Sequence, residues 1–172
     1  MFDQLNGMPL HPLIIHAPVI GIPLAFLLAA LFAFPRTRAW ARWPLLVTVL
    51  GATAATFAAR ESGKALFARL DLPAESPVLA LLRQHEALAD QLFYIMLGYA
   101  VIAVAAVLLV PPAVARTGEG ASQTRSNRGP LGLVMLLLLL AAAAVALVWT
   151  ARVGDIGARA VWNPNSTGLF PF

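Results

Sequence analysis

Residues 131–151 read LGLVMLLLLLAAAAVALVWTA, a stretch of 21 positions without one charged side chain. A helix needs about 20 apolar residues to cross the hydrocarbon core of a bilayer, so this run alone points to an integral membrane protein. It has none of the period-two polar alternation of an outer-membrane barrel strand, which leaves an α-helix. Working outward, three further runs qualify. They are Leu13 to Phe34, Leu45 to Ala59 with Trp43 and Pro44 in front of it, and Leu92 to Val110, which stops at Pro111 and Pro112.

The composition of the 172-residue chain agrees: 60% of it is hydrophobic and only 12% charged. A soluble domain carries roughly 25% charged residues, and half that share cannot cover a water-soluble globule of this size. An ordinary soluble enzyme, a disordered chain and a secreted disulfide module are therefore excluded. The absence of Cys also excludes disulfides, thiolate zinc sites, iron–sulfur clusters and covalent haem attachment through CxxCH. Before the first run stands Asp3 but no Lys or Arg, and no A-x-A site precedes Pro35. The run also exceeds the about 7–15 residues of a signal-peptide core, so it reads as a retained helix.

Charge then sets the expected topology. The connections after the first and third runs carry Arg36, Arg38, Arg42, Arg116, Arg125 and Arg128 against the single acid Glu119. The opposite side balances Arg60, Lys64, Arg69, Arg83, Arg152 and Arg159 against Asp3, Glu61, Asp71, Glu75, Glu86, Asp90 and Asp155. The positive-inside rule places the two arginine-rich loops in the cytoplasm and both termini outside. The net charge of +4 is thereby a topology signal, and nucleic acid is not needed to explain it.

Ser76–Pro77 is a cap and first-turn pair from which a helical pattern runs through His85 into the third span. The second and fourth spans likewise continue, through Lys64 and Phe67 and through Ile156 and Ala160. The expected spans are 13–34, 43–59 extending to 70, 77–110 and 131–160, in one domain covering 1–172. A Gly/Ser/Thr/Asn-rich flexible cytoplasmic loop covers 113–130, and no internal repeat is legible. Short loops favour an all-α, up-down four-helix bundle, N-out and C-out. Gly51 with Ala55, Ala54 with Ala58, and the strip Ala141 to Ala144 are candidates for close helix contact. Pro18 and Pro23 free the carbonyls of Ile14 and Val19, giving either mild bends or a widened pocket. Trp40, Trp43, Trp149 and Trp162 read as interfacial anchors.

In such a bundle the titratable residues collect at one mouth. His11, His16 and His85 all lie at the outer end, with Arg60, Glu61, Arg152 and Asp155. Ionisable groups near a membrane are costly unless paired or functional. His16, one turn inside the first span, is either a bundle-facing, hydrogen-bonded imidazole, a ligand or a proton relay. His11 precedes Pro12 and reads as an interfacial cap or a third ligand. His85 lies in RQHEALADQ, where a surface histidine is the bland reading and a partner for His16 across the bundle the sharper one. Two imidazoles from different helices suit axially ligated haem b. His11, His16 and His85 with Glu61 would suit a transition metal. Arg60–Glu61 and Arg152–Asp155 read first as structural ion pairs. No Ser/His/Asp triad, phosphate loop or HExxH helix is present.

The strings HPLIIHAPVIG, QHEALADQ and GDIGARAVW together resemble the DUF2231 family of bacterial four-helix membrane proteins, over roughly residues 9 to 163. The HPxxxHxP opening is the most specific part. The resemblance implies His11, His16 and His85 as family histidines and Gly154 and Gly157 as glycines of the closing motif. It also implies an association with respiratory redox chemistry, since family members occur beside or fused to Rieske and cytochrome c domains. This chain departs from the pattern after Trp162, where Asn163, Pro164 and Asn165 stand and many members carry a histidine.

The expectation is thus a small bacterial inner-membrane redox accessory or electron-transfer subunit without independent catalytic activity. Its histidine site, on His16 and His85 with His11 third, would take haem b or a metal ion. Its partners would be the lipid bilayer and a membrane or periplasmic redox protein. The alternative is a non-redox structural subunit of a larger membrane complex, its histidines only hydrogen-bonded. A proton or small-molecule carrier is disfavoured, because the third and fourth spans hold no mid-membrane charge and no inverted repeat is visible.

Overall fold

A computed structural model describes residues 4–5, 7–111 and 129–164. Its elements are a two-residue hairpin, β1 (Gln4–Leu5) with β2 (Met8–Pro9), then α1 (His11–Ile14), α2 (His16–Ala33), α3 (Arg38–Phe67), α4 (Pro77–Leu109) and α5 (Pro130–Trp162). Gly7, at φ 82°, turns the hairpin in the left-handed region that glycine enters without steric cost. The arginines of the second expected loop, Arg116, Arg125 and Arg128, fall outside the described residues, as does nearly all of the expected loop 113–130.

Four helical stretches are long and apolar enough to cross a membrane, with α1 and α2 forming the first. At about 1.5 Å per residue, the 33 residues of α4 and of α5 reach well past a hydrocarbon core of about 30 Å. The first span is nearly continuous: Ile15 keeps helical angles (φ −59°, ψ −23°) and its N–H still reaches the His11 carbonyl. The break falls there because Pro18 cannot donate to the carbonyl of Ile14 and its ring crowds that oxygen. Helix α2 then runs on through Pro23. α3 begins at Arg38, ahead of the start near Trp43 that hydropathy sets.

Helix α2 packs on α3, α3 on α4, α4 on α5 and α5 back on α2, while α1 lies against α3. The result is a closed four-membered ring with α2 and α4 on one diagonal. Ile22, Ala25, Ala29, Phe32, Leu45, Val49, Met96, Tyr99, Ala103, Leu139, Ala143 and Ala146 fill its axis. Val47, Val101 and Leu108, each about 70% exposed, belong to the outer faces, where apolar side chains make sense only against lipid. The close approach of α2 to α3 is made by Gly21, where an added Cβ would stand 3.2 Å from that of Ala52. Gly51 and Ala54 are exposed, so the expected Gly51–Ala55 contact does not form. A small residue allows close packing only on a face turned to a neighbour. Of the strip Ala141 to Ala144, Ala143 alone is buried.

Polar groups pin the ring internally. The Tyr99 hydroxyl, 1% exposed, donates to the carbonyl of Ala25 at 2.9 Å. At the end opposite the histidines, buried Arg38 donates to the carbonyls of Phe32 and Ala33, both at 3.1 Å, and of Pro111 at 3.4 Å. It thereby caps the last carbonyls of α2, where a cation also opposes the helix dipole. Trp40, Trp43 and Trp162 are exposed. Trp149 is half-buried instead, its indole N–H donating to Gln91 at 3.0 Å.

Candidate functional site: a histidine pair at one end of the bundle

The first residue of α1 and the ninth of α4 bring His11 and His85 together. Their ring centroids are 6.3 Å apart and the planes nearly perpendicular, at 84°. Each imidazole is tied through Nδ1 to a backbone carbonyl of a neighbouring helix. His11 reaches Ala59 of α3 at 2.9 Å, and His85 reaches Val153 of α5 at 3.0 Å. A carbonyl oxygen only accepts, so Nδ1 carries the proton in both rings. In a neutral imidazole the free lone pair is then on Nε2. This is the support that metal-ligating histidines commonly have, with one nitrogen anchored and the other available. Buried Ser62 adds a second tie for His11, since its hydroxyl donates to the Ala59 carbonyl at 2.9 Å and lies 3.2 Å from Nδ1.

Glycine makes these contacts possible. A helical carbonyl points toward the residue four positions later, and there stand Gly63 after Ala59 and Gly157 after Val153. A Cβ at Gly63 would come within 3.0 Å of the His11 ring, and one at Gly157 within 2.9 Å of the His85 ring. The site is thus one unit used twice: an imidazole in the first turns of one span, a carbonyl of the next span, and a glycine one turn beyond that carbonyl. That partial repeat was not legible in sequence, because 11 to 63 and 85 to 157 are different spacings and only His and Gly are shared.

His16 takes no part in this pair. It is exposed, because five residues at 100° per residue put it about 140° around the helix from inward-facing His11. The expected partnership of His16 with His85 is therefore replaced by His11 with His85. Glu61 accepts from Arg60 at 2.8 Å. Among the described residues, no group of three or more His, Asp or Glu is placed to hold a metal ion. The set of three histidines with Glu61 is accordingly not assembled.

Beside the pair lies a charged layer between α3 and α4. Arg60 bonds Asp90 and Glu61, and Lys64 stands 3.3 Å from Asp90. The Arg60 guanidinium also lies over the Phe93 ring. Charge counting placed Asp90 on this side of the molecule but did not identify it as the partner of Arg60 and Lys64. On α5, Asp155 pairs with Arg159 at 3.2 Å, and Arg152 lies over the Trp149 ring at 4.7 Å.

A metal bound to two imidazoles at about 2 Å per bond would hold the ring centroids roughly 6 Å apart, close to the separation seen here. By separation, His11 and His85 are the two residues that would hold a bound metal group. No curated protein and no solved structure matches the chain significantly. A family model described as a predicted membrane protein matches residues 7–166. By that match, together with its four membrane-length helices, the chain is a multi-pass membrane protein belonging to the DUF2231 family.

Proposed function

We propose that this protein is a one-electron carrier of a bacterial inner membrane, its site formed by His11 and His85. The carrying observation is the pair itself: two imidazoles from different helices, each anchored at Nδ1, with centroids 6.3 Å apart. Two protein ligands are too few for a bare ion, which in protein sites usually takes four or more ligands. They would suffice for a cofactor that carries most of its own metal donors, so we favour haem b over a mononuclear transition metal. When bound between His11 and His85, haem b would supply reversible one-electron chemistry. The chain's own contribution is to hold both rings in one tautomer and bury them halfway. Arg60, Lys64 and Asp90 form a partly exposed charged layer between α3 and α4. A membrane or periplasmic redox protein is the partner this arrangement fits.

Absorption spectra and metal analysis of the full chain, purified in detergent after growth with haem supplementation, test the reading. A low-spin bis-imidazole spectrum is expected, lost in His11→Ala and in His85→Ala and kept in His16→Ala. Colourless, metal-free wild-type protein would overturn it. One observation favours the second reading, a non-redox structural subunit: both Nδ1 groups already have partners, so the rings need no ligand to stay in place. On that reading, colourless protein would lose stability in His11→Ala and still copurify with a membrane complex.

A further inference from the structure

We infer that Gly63 and Gly157 are the positioning residues of the histidine pair, each fixing the tautomer of the ring beside it. The inference rests on the reading of His11 and His85 as ligands, and deepens it by naming what selects the nitrogen offered to the cofactor.

A side chain at the fourth residue after a helical carbonyl would overhang that oxygen. Without one, the imidazole edge can reach the oxygen although the carbonyl already serves the helix. The Cβ distances place the obstruction along the Cε1–Nδ1 edge: 3.0 Å to Cε1 and 3.2 Å to Nδ1 for His11, 2.9 Å and 3.1 Å for His85, with Nε2 next at 3.6 Å and 3.8 Å. Both glycines lie in helices, where glycine costs about 1 kcal/mol relative to alanine. Neither has the positive φ that would call for it. An alanine would suit the backbone better at both positions, so the neighbouring ring is the reason left for glycine. Gly98 and Gly132, also helical, would meet nothing within 4 Å of an added Cβ and serve as matched controls.

The test is nitrogen-15 NMR of histidine-labelled full-length protein in detergent micelles, without added haem. Wild-type His11 and His85 are expected as Nδ1–H tautomers. Gly63→Ala shifts His11 toward the Nε2–H form and leaves His85 unchanged, and Gly157→Ala does the converse. Gly98→Ala and Gly132→Ala change neither. Unchanged tautomers in both site variants, or equal disturbance by the control variants, would overturn the inference. Should Gly63→Ala fail to fold, the double variant His11→Ala/Gly63→Ala decides. Recovered folding marks a clash with the ring, and continued failure marks a role of Gly63 in the backbone alone and overturns the inference. In haem-loaded preparations, Gly63→Ala is expected to lower haem occupancy several-fold. Protein that shows the tautomer shifts yet never takes up haem would refute the carrier reading and leave the glycine assignment standing.

Discussion

An imidazole anchored at Nδ1 has one nitrogen left, and the environment of the anchor sets how strongly that nitrogen is held in place. The two rings differ here. Behind His11, Ser62 contacts both the ring and its carbonyl, whereas the equivalent position behind His85 is Ile156, one residue before Gly157. Ser62→Ala should therefore act on one ring only. It is expected to cost about 1 kcal/mol of stability, the net worth of one buried hydrogen bond, and to speed exchange of the His11 Nδ1 proton with no change at His85. Chemical unfolding and hydrogen-exchange NMR measure both, and equal effects on the two rings would contradict the asymmetry. That the histidines gather at one end was legible in sequence, since up-down topology puts these helix ends together. Which two would meet was not. Five residues separate His11 from His16, and only the direction of one fixes the direction of the other.

Helices were the most legible level, because each requires little more than a long apolar run and a stop. Their contact faces were not, since alanine and leucine are equally at home against lipid and against another helix. Gly21 and Gly51 make the point: both sit in apolar helices, yet the first presses on Ala52 and the second faces outward. Gly21→Ala is expected to destabilise by about 1–3 kcal/mol through overpacking. Gly51→Ala should be neutral or stabilise by up to about 1 kcal/mol through helix propensity. Unfolding in mixed micelles separates the two, and the opposite order would mean that α2 and α3 pack on other faces. Tyr99→Phe removes a buried α4-to-α2 hydrogen bond without changing the ring, and should cost about 1 kcal/mol, within the range of interhelical hydrogen bonds in membranes.

For the whole molecule, the arginine arithmetic yields an orientation that can be measured directly, helped by the absence of native cysteines. Ala74→Cys lies in the α3–α4 linker at the histidine end, and Ala39→Cys at the start of α3; both positions are exposed. A membrane-impermeant maleimide should label position 74 in intact spheroplasts, and position 39 only after permeabilisation. The reverse pattern would turn the molecule over.

The placing of all three histidines near one mouth of an otherwise apolar rod has a further consequence. If the pair carries electrons, they come and go through a single doorway, since the chain offers no second imidazole along the remaining length of the helices. Such a protein cannot bridge the two sides of the bilayer by itself. It would work laterally, relaying between neighbours that share one face of the membrane.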